Sequence, residues 1–301
     1  MKKLLNPIRI VLLTIAPLGI CAQGPIHFWP LDESNGTTAP DLNGGAHGTL
    51  QNGATWSSDG YLGNGLAFDG VDDRVDLGPL DITSGSGFSI ACWVRPSSTT
   101  LQDQLLVAKA YDPLIGDFVW SIGTTAHTKV AFRLRTVGQP TSITSPPNSI
   151  FPGAFYHVAA TYDGSQMQLY INGALAATAP KTGMLGYHPQ ALAFMGHLDI
   201  GPGVVPFAGT LGDVRIWDRG LTQSEIFDLV LEQDISMNAA HVFQPTQLPA
   251  GPAQLLDMSG RLLRSFSAGT SALSTDDLPP GLYMLLWHDG DRVLSAKWMK
   301  P

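Results

Sequence analysis

The chain is predicted to fold as an all-β protein of layered antiparallel sheets. Three observations carry that expectation. Residues 155–175 alternate with a period of two: Val158, Ala160 and Tyr162 against His157, Ala159 and Thr161, then Met167, Leu169 and Ile171 against Gln166, Gln168 and Tyr170. That spacing sends one set to a buried face and the other toward solvent or a groove. Asp163-Gly164 and Asn172-Gly173 supply the positive-φ positions that tight hairpins need, so the stretch reads as a three-stranded meander. Finally, 33 glycines and 22 prolines punctuate short apolar runs along 301 residues, a pattern of many short strands rather than long helices.

The elements follow in order. Lys2, Lys3 and Arg9 precede the short apolar run Ile10–Ile20, and Ala22 ends it, as in an export leader cleaved before Gln23. The run is too short to span a bilayer. Ile20 is too bulky for a lipoprotein signal around Cys21. Strands are expected at Ile26–Leu31, Leu66–Asp69, Arg74–Leu77, Phe88–Arg95, Gln104–Lys109, Phe118–Ile122 and Lys129–Arg135, then the meander, then Ala191–Ile200 and Thr210–Trp217. One helix is expected from Leu221 to Val230, where Thr222 and Glu225 form a capping box and Ile226, Leu229 and Val230 an apolar stripe. It should pack on the edge of the sandwich. Residues 233–249, with Pro245 and Pro249, lose periodicity and read as a linker. From 250 to 301 a second small β unit is expected, with strands at Ala253–Asp257, Leu262–Phe266, Leu282–Trp287 and Arg292–Met299.

Charge excludes some partners. Removing residues 1–22 takes away three positive charges and no negative ones, so the formal charge moves from −8 to −11. An acidic chain with no basic stripe is a poor match for nucleic acid, and it gains nothing from anionic lipid. Of the two cysteines, only Cys92 follows the leader. Alternation places it with Phe88, Ile90 and Val94, as a buried core thiol.

Ordered segments resemble the laminin G-like, concanavalin A-like jelly-roll family of bacterial proteins. They are Phe28-Trp-Pro-Leu-Asp32, Asp41-Leu-Asn-Gly-Gly-Ala-His-Gly-Thr-Leu50, Asn52-Gly-Ala-Thr-Trp56, Leu66-Ala-Phe-Asp-Gly-Val-Asp-Asp-Arg-Val75, Phe88–Val94, Tyr156–Gly164, Leu169–Gly173, Gly209–Trp217 and Leu221–Ile226. The resemblance implies a two-sheet jelly-roll sandwich over residues 24–232, in a family that binds glycans or proteins. The tail is similar to the C-terminal sorting domain of type IX secretion. Leu255-Leu-Asp-Met-Ser-Gly-Arg-Leu-Leu263, Leu278-Pro-Pro-Gly-Leu-Tyr-Met-Leu285 and Ala296-Lys-Trp-Met-Lys300 carry the likeness, while Val242-Phe-Gln-Pro-Thr246 only weakly echoes the usual opening motif. That resemblance implies a small β-sandwich, passage across the inner and outer membranes of a Gram-negative bacterium through the type IX machinery, and a secreted or surface-held product.

The expected role is therefore non-catalytic binding, with a glycan as first partner and a cell-surface protein as the alternative. A laminarinase-like glycoside hydrolase is the third reading. It needs two carboxylates flanking the scissile bond, and the Glu-x-Asp-x-x-Glu strand of that group is absent; Glu33, Glu225 and Glu232 do not sit mid-strand. No Gly-x-Ser-x-Gly elbow and no His-Glu-x-x-His motif occurs. Tyr111 and Tyr187, in loops rich in Gly, Pro and Asp, are candidate ligand contacts, whereas Trp29, Trp93 and Trp217 read as core. Related folds often hold one structural Ca²⁺, which points to Asp213, with Asp41 as a second donor. Pairing of Asp213 with Arg215 or Arg219 is the competing reading. Asp69-Gly-Val-Asp-Asp73 is dense in acid but lacks the spacing of an EF-hand loop, and reads as a turn.

Overall fold

The computed structural model describes residues 23–61, 63–82, 87–98, 103–112, 117–126, 128–137, 140–197, 206–237, 252–257, 262–267, 278, 281–289 and 292–300. The predicted leader therefore lies outside the described residues. The strands are β1 (His27–Trp29), β2 (Thr38–Ala39), β3 (Gly48–Gln51), β4 (Thr55–Gly60), β5 (Gly63–Asp69), β6 (Arg74–Gly78), β7 (Phe88–Pro96), β8 (Gln104–Asp112), β9 (Asp117–Thr125), β10 (Lys129–Arg135), β11 (Pro140–Thr144), β12 (Tyr156–Tyr162), β13 (Gln166–Ile171), β14 (Ala174–Pro180), β15 (Leu192–Met195) and β16 (Ala208–Trp217). Helix α1 (Gln223–Met237) follows, then β17 (Ala253–Asp257), β18 (Leu262–Phe266), β19 (Gly281–Asp289) and β20 (Arg292–Lys300).

Two large antiparallel sheets form the sandwich. The first runs β14-β13-β12-β7-β16-β5-β4, with β1 also paired to β16. The second runs β11-β10-β9-β8-β15-β6-β3-β2. Their inner faces bury one core that includes Trp29, Phe88, Ile90, Cys92, Val94, Trp120, Phe132, Val158, Tyr162, Leu169 and Ile216. Cys92 sits in the predicted alternation, and burial pushes its thiol pKa up.

The meander forms as the period predicts. Its second turn uses positive φ at both Asn172 and Gly173, the signature of a type I′ hairpin. Its first turn has positive φ only at Gly164. There Asp163 Oδ1 accepts the Ser165 and Gln166 N–H groups, each at 2.8 Å, so a side chain closes that reversal.

The outer set of β12 is not exposed. Helix α1 lies over the outer face of the first sheet rather than at its edge. Ile226 and Leu229 pack with Ala91, Ala159, Tyr170 and Trp217, and Val230 packs with Tyr61, Trp93 and Phe155. Trp93 and Trp217 are thus buried, as expected, but beneath the helix and not between the sheets. The helix reaches close enough that a Cβ on Gly173 would stand 2.9 Å from Phe227. Its start is the predicted capping box: Glu225 Oε2 accepts the Thr222 N–H at 2.8 Å, and Thr222 Oγ1 accepts the Glu225 N–H at 3.3 Å.

The tail is one four-stranded antiparallel sheet, β18-β17-β19-β20, among the described residues, where a small sandwich is the sequence expectation. Ala253, Leu255, Tyr283 and Leu285 line one face. Leu256 and Leu286 on the other meet Phe227 of α1. Residues 238–251, most of the predicted linker, lie outside the described residues.

Candidate functional site

Strands β6, β8 and β10 run parallel to one another within the second sheet, each separated by an antiparallel neighbour. Their C-terminal ends therefore share one rim of the sandwich. A shallow depression opens there, lined by Leu80, Asp81, Lys109, Trp120, Arg135 and Tyr187 among others.

Its floor is unusual. Lys109 pairs with Trp120 across β8 and β9 and points inward, and it is almost fully buried. A buried ammonium requires compensation. The Nζ donates to Asp81 Oδ1 at 2.5 Å and to Leu80 O at 2.8 Å. Two of its three donors are spent there.

The wall is a backbone-paired pair of segments. Val137 N donates to Met184 O at 2.8 Å, Gly186 N donates to Arg135 O at 3.1 Å, and Thr136 bridges to Leu185. The Thr136 hydroxyl donates to Thr182 O at 2.9 Å, and the Tyr162 hydroxyl donates to Gly183 O, tying the wall to the core. These segments carry Val137, Met184 and Tyr187 at 77%, 70% and 63% exposure. Apolar side chains held this open beside a depression are the kind of surface that a ligand covers.

Of the two predicted aromatic contacts, Tyr187 lines this rim. Tyr111 lies outside the residues whose side chains are described. Lys109 carries no warning in the sequence, because its partner Asp81 is 28 residues away.

Asp41 and Asp213 flank β1 but do not fit the expected Ca²⁺. Asp41 Oδ1 accepts the Phe28, Asn43 and Gly44 N–H groups at 2.9, 3.1 and 3.0 Å. Its Oδ2 accepts the Ala46 N–H at 3.0 Å and lies 2.7 Å from His27 Nδ1. Burial pushes this carboxyl up, but the bonds from Gly44, His27, Phe28 and Asn43 outweigh it and hold its pKa at about 2. A carboxylate already accepting five bonds has no lone pair to offer a metal. Asp213 sits at a bulge in β16 with φ +51°, between the half that pairs with β5 and the half that pairs with β1. The Arg215 guanidinium grips both of its oxygens at 2.6 and 3.0 Å. The competing reading, pairing with Arg215, is the geometry observed.

His157 is buried beside Trp93, with ring centroids 5.3 Å apart. Burial, with the Arg215 charge second, lowers its pKa to about 3. It is a neutral strand residue, and its Nδ1 accepts no bond. Two carboxylates are held in ion pairs: Asp81 by Lys109, and Glu225 by Arg219 at 2.7 Å and by the helix cap.

The profile of the concanavalin A-like lectin/glucanases superfamily (Laminin_G_3) matches residues 69–227, just over half of the chain. The chain belongs to this superfamily. No curated protein sequence matches it. Among solved structures, the binding domain of Paraclostridial mosquitocidal protein 1 superposes with a TM-score of 0.55 at 12% identity, over 88% of this chain and 75% of that one. The binding domain of botulinum neurotoxin serotype G gives 0.53 at 12% identity, over 91% and 65%. Trypanosoma rangeli sialidase, in complex with a difluoro-nononic acid, gives 0.54 at 18% identity over 70% of this chain. The chain spans only 33% of that sialidase. At these identities the likeness is one of fold. No helix among the described residues is long and apolar enough to cross a membrane.

Proposed function

We propose that this concanavalin A-like protein is a non-catalytic binding module that takes a glycan at the rim formed by β6, β8 and β10. The observation that carries the reading is the grouping of exposed Tyr187, Met184 and Val137 beside a floor of buried Lys109 and Trp120 and half-buried Asp81. A sugar ring presents apolar C–H faces and polar edges. An open tyrosine face suits the first, and the Lys109–Asp81 pair suits the second. Two of the structural neighbours are binding domains aligned over most of both chains, which supports binding without chemistry. The leader-like pattern of residues 1–22 and the sorting-domain-like tail support export through the type IX machinery to the surface of a Gram-negative cell, or release from it.

A glycan array probed with the full chain and with Tyr187→Ala tests the reading. Retention of a glycan by the wild type, weakened about tenfold or more in the variant, is expected for loss of one stacking face, worth about 1.4 kcal/mol. An array with no retained glycan, together with capture of a surface protein, would replace it with the adhesive reading.

A further inference from the structure

The turn between β5 and β6 brings Asp69, Asp72 and Asp73 together, with carboxylate oxygens within 4.8 Å of one another. Exposed acids often gather in this way without consequence. Asp73 is the exception within the group, being only 3% exposed. Its Oδ2 accepts the Asp69 N–H at 2.8 Å. Its Oδ1 is buried and accepts no hydrogen bond. A buried carboxylate oxygen with no donor is costly and calls for a positive partner. None is at hand: the ion pairs of the described residues do not include Asp69, Asp72 or Asp73, and adjacent Arg74 gives its Nε to Asp76 at 2.9 Å.

The facing loop meets Oδ1 with a residue that has no side chain. Gly53 has φ +125°, and a Cβ there would stand 2.8 Å from Asp73 Oδ1. The neighbouring Asn52 Nδ2 donates to Asp72 O at 3.1 Å, which fixes that loop over the turn.

We propose that this turn binds a divalent cation of the calcium class. Asp73 Oδ1 is the inner ligand, Asp69 and Asp72 close the outer side, and water fills the remaining positions. Three carboxylates form a hard, all-oxygen set, and an exposed turn with few protein ligands suits the flexible coordination of Ca²⁺ better than the strict octahedron of Mg²⁺. The proposal stands apart from the glycan reading and holds whether or not the rim takes a sugar.

The test is calorimetric titration of the chelator-treated full chain with calcium chloride, alongside thermal melts. Binding with a Kd of about 10⁻⁴–10⁻³ M, the range of extracellular calcium modules, and a raised melting temperature are expected. Asp72→Asn changes an exposed side chain and leaves the fold intact. It should weaken binding about tenfold or more, whereas Asp213→Asn should leave the affinity unchanged. Absence of both heat and a melting shift up to about 10 mM calcium, well above that range, would overturn the proposal. So would full calcium affinity in Asp72→Asn, or its loss in Asp213→Asn.

Discussion

Two acidic turns lie on this sandwich, one after β2 and one after β5, and they treat a buried aspartate in opposite ways. Asp41 and Asp73 are 4% and 3% exposed. Around Asp41 the backbone of Asn43, Gly44 and Ala46 curls so that its N–H groups converge on the carboxylate. Around Asp73 a single N–H, that of Asp69, points inward. Asp41 is held well below the ordinary carboxylate pKa. Asp73 is pushed above it, by burial first and then by the Asp69 and Asp72 charges. The difference lies in the donors and not in the depth. A saturated carboxylate is a structural knot, and an unsaturated one is an open valence.

The largest effect should come from breaking the knot. Asp41→Ala would leave four partly buried N–H groups without their acceptor and should destabilise the protein by about 3–5 kcal/mol. Asp69→Ala, at an exposed position of the other turn, should cost about 1 kcal/mol or less. Denaturant unfolding of both variants checks the contrast. Equal losses would mean that the donors around Asp41 contribute nothing beyond an ordinary turn.

Acid should separate the knot from His157, another buried titratable group. The Asp41 pKa is lowered from 3.8 to about 2, so its stabilisation is complete above 3.8 and is lost as pH falls toward 2. The amount is about 2 kcal/mol. His157 is lowered from 6.5 to about 3. Between those values the unfolded chain binds a proton that the folded chain refuses, so stability should fall by up to roughly 1.4 kcal/mol per pH unit as pH drops below 6.5. His157→Phe should flatten the profile between pH 6 and 4, while Asp41→Asn should flatten only its lower end. Unfolding free energies measured across pH that decline identically in all three proteins would show that neither group is responsible.

How much of this was legible in the sequence depends on whether local order decided it. The meander, the Asn172-Gly173 hairpin, the Thr222–Glu225 cap and the inward set of Cys92 are local patterns, and the fold uses them as read. The helix covering Trp93 and Trp217 was not legible, because the outer face of β12 reads as solvent-facing until a distant segment lies on it. Lys109 follows Leu105-Leu-Val-Ala108, where a bulge between Leu105 and Val107 shifts the alternation. No period predicts its inward turn. The fate of Asp41 was half legible: Asp-x-Asn-Gly-Gly is a loop sequence, but the convergence of its N–H groups depends on backbone angles that composition does not state.

The smallest and sharpest contrast is Asp73→Asn. The amide keeps an acceptor for the Asp69 N–H and removes a negative charge from a site that already holds two. With chelator present, the variant should be as stable as the wild type or more stable by about 1 kcal/mol, because a buried group left as an unpaired charge costs more than a neutral one. With calcium present, the order should reverse, since only the wild type gains binding energy on folding. Asp41→Asn should show no such reversal, because an amide there sets its two N–H groups against the backbone donors whether or not an ion is added. Paired melts in chelator and in calcium read both variants at once. A stability order for Asp73→Asn that is indifferent to calcium would make the second turn as closed as the first.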